Sequence, residues 1–338
     1  MSETARMPHE LDRRDSRTTL LRVAVTGASG LVGRHLVASL RADGHQVLAL
    51  VRRPVRAADE IEWRPERGEI DAARLEGVDA VVHLAGASIA GGRWTKARKR
   101  AIRESRVQGT ALLAETLANL RQPPRVLVST SAVGFYGDGG ETWLTEESPQ
   151  GAGFLAEVCR KWEAAAEPAA RAGIRVVHPR FGVVLAGEGG MLPLLARVFR
   201  LGLGGPAGDG RQYMSWIALG DLLDVLFESI RDDGLSGPVN AVAPEPVTNR
   251  EFSKTLGNVL HRPAFMPAPA PMLRLALGGL ADELLLASER VRPARLEAAG
   301  FRFAFPTIES ALRHELDRPV AVGPVGSFRV AADPSRWR

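Results

Sequence analysis

One turn constrains this chain more than any other feature. A short apolar, β-rich run, Arg22 to Thr26, passes directly into Gly27, Gly30 and Gly33, a G-x-x-G-x-x-G spacing that opens a helical pattern. Leu31, Leu36, Val37 and Leu40 fall on one face of that helix, and Gly44 marks its end. Gln46 to Val51 then reads as a second buried strand, so strand, helix and strand follow one another within about 30 residues, the βαβ unit of a parallel sheet.

The alternation continues. Val78 to Leu84 reads as a strand and Trp94 to Leu120 as a long helix, with Ala97, Ala101, Ser105, Gln108 and Leu112 inward. Arg125 to Ser129 is a strand, Phe154 to Glu167 a helix ended near Pro168, and Ile174 to His178 a further strand. The expected fold class is therefore α/β: a doubly wound parallel sheet of the NAD(P)-binding Rossmann kind, with a smaller C-terminal α/β substrate region. The expected organisation is a flexible tail over 1–20, a nucleotide-binding domain over 21–182, a smaller region over 183–316 partly interleaved with the sheet, and a tail over 317–338.

Composition removes several classes of function. With 35 glycines and 22 prolines in 338 residues the chain is neither collagenous nor low in complexity. A lone cysteine, Cys159, excludes an internal disulfide, and seven scattered histidines show no zinc-ligand spacing, so no metal site is expected. The N-terminal stretch lacks an apolar core, and Arg274, Asp282 and Glu283 break the leucine-rich segment after Pro271, which points to a cytoplasmic protein with no membrane association. The net charge of +5 is concentrated: Arg93, Lys96, Arg98, Lys99, Arg100, Arg103 and Arg106 stand against Glu104 alone. Nucleic acid is the rival partner for that patch, but no interleaved aromatics or nucleic-acid-binding motif accompany it, and none is expected to bind.

The glycine turn suits a dinucleotide. Its pyrophosphate needs a tight turn, an unobstructed backbone and a close helix–strand contact, and Gly27, Gly30 and Gly33 supply positions without a Cβ, with Ser29 and Leu31 alongside. Nineteen residues after Gly33, where a carboxylate would favour NAD, stand Arg52 and Arg53. A guanidinium grips a 2′-phosphate that a carboxylate would repel, so NADP(H) is the expected cofactor.

The run from Thr26 to Gly33, together with Val82–Gly86, Arg93–Lys96, Ser105–Thr110, Ser129–Asp138, Phe154–Glu163, Pro179–Gly182 and Ser215–Ile217, resembles the atypical extended short-chain dehydrogenases/reductases. Within them it resembles the "epimerase family protein", YfcH-like branch, over nearly the whole chain from Leu21 to about Leu316. The resemblance implies that Leu84, Ala85 and Gly86 pass beneath the cofactor and that Pro179, Arg180 and Gly182 flank its nicotinamide end.

It also exposes a departure. The superfamily pairs a Ser with Tyr and Lys in Y-x-x-x-K, the Tyr transferring a proton and the Lys lowering its pKa. Here Ser131 fits the serine position, with Thr130 one residue away, while the Tyr, Lys and Asn positions fall on Leu155, Cys159 and Arg106. Tyr136 is then a replacement acid or a pocket wall, and Arg106 a substitute charge or a structural ion-pair partner. Lys96, Arg103, Arg211 and Trp216 are the expected substrate contacts, although Ala218 and Met214 replace a His and an Arg of the sugar epimerases. The expected activity is that of an NADP(H)-binding oxidoreductase or epimerase acting on a small sugar-like or anionic substrate, with a homodimer as the assembly considered. A non-catalytic NADP(H)-binding sensor or interaction module is the alternative; a serine hydrolase is disfavoured because no G-x-S-x-G is present.

Overall fold

A computed structural model describes residues 20–90 and 92–317. The expected tails over 1–19 and 318–338 lie outside the described residues. The chain first runs through β1 (Arg22–Thr26), α1 (Leu31–Ala42), β2 (Gln46–Val51), β3 (Glu60–Arg64) and β4 (Ala80–His83). It continues as α2 (Lys96–Ala118), β5 (Val126–Ser129), α3 (Phe154–Ala164) and β6 (Arg175–Phe181). These strands, with a late strand described below, form one parallel sheet; Glu69–Ile70 adds a short antiparallel edge to β3.

Each central strand is buried on both faces, which is why these runs read as continuous apolar segments. Val23 and Val25 of β1 pack on one side with Leu36 and Leu40 of α1, while Ala24 faces Leu113, Ala114 and Leu117 of α2 on the other. The same alternation recurs in β4 and β5, with Val82 and Val128 on the first side and Val81 and Leu127 on the second.

Two elements depart from the expectation. β3 was not anticipated, although Ile61 and Trp63 alternate with Glu60, Glu62 and Arg64 in the period of a strand. The inner face of α2 is Ile102, Arg106, Gly109, Thr110, Leu113, Ala114 and Leu117, whereas Ala97, Ala101 and Gln108 are exposed. The buried stripe contains an arginine, a glycine and a threonine, so hydrophobicity alone misplaces it.

Beyond β6 the chain forms β7 (Val183–Leu185), α4 (Leu192–Arg200), β8 (Trp216–Ala218), α5 (Leu219–Arg231), β9 (Gly237–Ala241), α6 (Asn249–Val259), α7 (Ala270–Leu277) and α8 (Ile308–Leu316). β9 returns to the main sheet and pairs parallel with β6, giving the order β9-β6-β5-β4-β1-β2-β3. The chain winds outward from β1 to β3 and resumes on the opposite side at β4, so β1 and β4 bracket the topological switch point. α4, β8, α6 and α8 gather a separate core around Phe199, Trp216, Phe252 and Leu312. Asp221 lies in the first turn of α5, where it accepts Ala304 and Phe305 backbone N–H groups at 2.7 and 3.0 Å. No helix among the described residues is long and apolar enough to cross a membrane.

Candidate active site

A cavity of about 430 Å³ opens at the switch point and is lined by Gly27, Gly30 and Gly33 of the turn, Leu84 after β4, Ser131 after β5 and Gly182 after β6. Gly27 has φ +68, and a Cβ on it would lie 2.9 Å from the Leu84 carbonyl carbon. The floor is tied down by Thr26, whose Oγ1 accepts the N–H groups of Leu84 and Ala85 at 3.1 and 3.2 Å. Gly30 begins α1 without a side-chain cap, leaving N–H groups at the positive end of the helix facing this space. This bare backbone fits the pyrophosphate of a dinucleotide.

Thr26 Oγ1 also lies 2.7 Å from His83 Nδ1, and His83 is fully buried edge-on to Trp63. Burial, with the Arg106 charge nearby, brings its pKa down from 6.5 to about 4. The unfolded chain therefore takes up a proton below 6.5 that the folded chain refuses until about 4. This imidazole's stabilising contribution is complete above that window and is lost as the pH falls through it. Urea unfolding of the wild type should lose at most ~3 kcal/mol more between those limits than His83→Gln does, and equal losses would reject the assignment.

Arg52 and Arg53 follow β2, whose Leu50 is paired with Thr26, so both stand beside the turn. They are not equivalent. Arg53 donates to both Glu60 oxygens at 2.8 and 2.5 Å, and that hydrogen bonding, with the Arg56 N–H, lowers the Glu60 pKa to about 2. Arg52 is exposed and has no such partner among the described residues.

Behind the cavity runs a polar chain. Ser131 Oγ donates to Glu163 Oε1 at 2.7 Å, and Arg180 Nε and Nη2 donate to the two Glu163 oxygens at 2.8 Å each. Arg180 Nη1 donates to the Tyr136 hydroxyl at 2.8 Å, which donates in turn to Asn240 Oδ1 at 2.7 Å. Tyr136 therefore neither faces the cavity nor serves as a ready acid: its phenol is committed on both sides and burial pushes its pKa up to about 12. The Arg180 guanidinium likewise does not line the cavity and lies over the Phe135 ring. Leu155 and Cys159 do line the cavity, and burial pushes the Cys159 thiol up to about 12, leaving it uncharged.

The expected charges divide sharply. Arg106 is buried in the cavity wall, donating to the Ala87 and Ile102 carbonyls at 3.0 and 3.1 Å with its guanidinium over Trp162, and Gly86 is packed against it. Lys96, Arg103 and Arg211 do not line it; Lys96 and Arg211 are exposed, and Arg103 faces Glu157. Trp216 is a core residue, fully buried, with Nε1 donating to the Glu245 carbonyl at 3.0 Å. Of the other basic residues of this cluster, Arg98 donates to the Ser88 carbonyl, and the Lys99 ammonium lies over Trp94 and Phe154. Ser29 and Ala85 stand beside the cavity without lining it, and Pro179 pairs with Val239 in the sheet.

One functional candidate was invisible in the sequence. Glu289 projects into the cavity from the C-terminal region, held by its backbone: its N–H donates to Tyr213 O at 2.9 Å and its carbonyl accepts Ser215 Oγ at 2.7 Å. Burial, reinforced by the Asp138 charge, raises its carboxyl pKa to about 8. A carboxyl in this state can hold or release a proton near neutral pH. It sits in an unremarkable Ser288–Glu289–Arg290 stretch, and its environment exists only after folding.

Residues 23–240 match the NAD dependent epimerase/dehydratase family, and residues 268–315 match a domain of unknown function. The chain is 45% identical over 297 residues to the Epimerase family protein Mb2239 of Mycobacterium bovis, covering 88% of this chain and 98% of that one. The crystal structure of human epimerase family protein SDR39U1 (isoform 2) with NADPH superposes with a TM-score of 0.82 at 34% identity, over 88% of this chain and all of that one. A nucleoside-diphosphate sugar epimerase from Corynebacterium glutamicum is 44% identical with a TM-score of 0.75; the match covers 88% of this chain and 58% of that longer one.

Proposed function

The chain belongs to the NAD dependent epimerase/dehydratase family, and on that premise we propose that it is an NADP(H)-dependent oxidoreductase or epimerase acting on a small molecule. The observation that carries this reading is the cavity at the switch point, where a bare glycine backbone and two polar side chains, Ser131 and Glu289, line one space. When bound there, the dinucleotide supplies or accepts a hydride at its nicotinamide ring. Gly27, Gly30 and Gly33 hold its phosphates, Arg52 and Arg53 its 2′-phosphate, and Leu84 and Gly182, which line the cavity, border its nicotinamide end. The relative crystallised with NADPH supports the choice of phosphorylated cofactor.

Ser131, its own proton directed to Glu163, orients a substrate hydroxyl by accepting from it. Glu289 takes the proton-exchanging part for which Tyr136 is turned the wrong way. Arg106, on the cavity wall, is what remains to support an anionic or sugar-like substrate, since Lys96, Arg103 and Arg211 lie outside. The lone Cys159 suits a reducing cytoplasm. Exposed apolar side chains on α4 and α7, among them Leu194 and Leu275, are where a homodimer would form. The second reading, a nucleotide-binding sensor, is favoured by the inert Leu155 and Cys159 at the Tyr and Lys positions.

Calorimetric titration tests the cofactor assignment. Arg52→Ala should weaken NADPH binding about tenfold or more and leave NADH unchanged, and Arg53→Ala should do so less, because Glu60 competes for that guanidinium. Unchanged NADPH affinity in both would overturn it. If NADPH binds while a broad carbonyl and sugar panel shows no turnover, the sensor reading replaces the enzyme.

A further inference from the structure

A second cavity of about 220 Å³ adjoins the first, and the two share Val183, Leu284 and Glu289. Its walls come from α4, α6 and the segment around α7, chiefly Leu195, Phe199, Met214, Phe252, Met266 and Leu273. Among the described residues, no Lys, Arg or His lines it. The mouth is apolar too: Val198, Leu203, Met266 and Leu284 line the cavity and are 43%, 52%, 46% and 39% exposed.

The polar groups in this cavity are few, and several are already engaged. Gln212 Nε2 donates to the Ala207 and Leu285 carbonyls at 3.0 and 2.7 Å, and Asn249 Oδ1 accepts the Ala207 N–H at 2.7 Å. The Glu289 carboxyl and the Tyr213 and Ser253 hydroxyls remain without a hydrogen-bond partner among the described residues, with Ser253 buried in the wall. We infer that this cavity receives a small, uncharged, largely apolar molecule, whose polar group meets Glu289 at the junction with the first cavity.

The inference rests on the reading above of the first cavity as the cofactor site, and it replaces the sugar-like or anionic substrate of that site with an uncharged, largely apolar one. A nucleoside diphosphate or a carboxylate entering here would lose its hydration with no cation to replace it, beside a carboxyl that repels it when ionised. A sugar would bury several hydroxyl groups against leucine, methionine and phenylalanine with little left to bond them. An apolar body loses nothing polar on entry and gains the burial of its own surface and of the exposed rim. Held up to about 8 by burial, Glu289 remains a hydrogen-bond donor at neutral pH, which suits an uncharged oxygen rather than an anion.

Binding measurements on the full chain test this without relying on turnover. The uncharged dye Nile red should brighten on addition of protein and be displaced by 2-decanone but not by UDP-glucose. Leu195→Glu in the wall, and Val198→Asp at the exposed rim where folding is not at risk, should each weaken dye binding about tenfold or more, with NADPH affinity unchanged. Glu289→Leu should weaken the ketone more than the dye. Dye binding indifferent to both wall variants, or displaced equally well by UDP-glucose, overturns the inference. NADPH titrated in parallel separates the two readings: normal NADPH binding with no specific dye site sinks this inference alone, whereas absent NADPH binding sinks the cofactor reading beneath it.

Discussion

Gly33→Ala is expected to lower NADPH affinity by about a thousandfold or more, close to 4 kcal/mol. A Cβ at Gly33 would lie 2.2 Å from the Gly27 carbonyl oxygen, 2.9 Å from its carbon and 3.0 Å from Ala28 Cα. All three are backbone atoms, so no side-chain rotation relieves the clash. Nor can the turn retreat, because Gly27 already stands against the Leu84 backbone on its other side. α1 must instead shift off β1, carrying its N-terminal N–H groups away from the phosphate position. Gly30→Ala is the internal comparison: its Cβ would meet only the Gly27 oxygen, at 3.2 Å, and the loss should be much smaller. Calorimetric titration, with circular dichroism to confirm the fold, reads both, and a Gly33→Ala affinity within threefold of wild type would show that the phosphates lie elsewhere.

Arg180→Leu is expected to destabilise the fold by roughly 3–5 kcal/mol, because it leaves the Glu163 carboxylate largely buried with Ser131 as its remaining side-chain hydrogen-bond partner. Arg180 is 4% exposed and Glu163 14%, so water cannot easily replace the missing guanidinium. The same change removes a donor from the Tyr136 hydroxyl. Thermal unfolding should drop by about 10 °C. Arg180→Leu combined with Glu163→Leu should recover part of that loss, since the uncompensated charge disappears along with its partner. Losses that simply add, or a single-variant loss below about 1 kcal/mol, would mean that the pair is not energetically coupled.

The βαβ opening was legible almost residue for residue: β1 and β2 occupy the expected positions, and α1 buries Leu36 and Leu40. Those segments announce themselves because strand propensity, helical period and glycine geometry act over a few neighbouring residues. The inner face of α2 was not legible, since it is occupied by Arg106, Gly109 and Thr110, and Gly109 is there to admit the Trp63 ring. Among the site residues, the glycines could be read from their spacing. Tyr136 could not: proximity in sequence to Ser131 suggested the cavity, but the turn at Val133–Tyr136 carries the phenol to Arg180 and Asn240 instead.

By itself the sequence determined the sheet-and-helix alternation, the Cβ-free turn and the guanidinium pair after β2, because each depends on short-range stereochemistry or on residue type alone. Tertiary structure decided which charges face the ligand space. Lys96, Arg103 and Arg211 remain outside it, Arg106 is drawn into its wall, and Glu289 is carried across from a segment far from the glycine turn. Charge state and orientation follow from which surfaces exclude water, and that is settled only when distant parts of the chain close over one another.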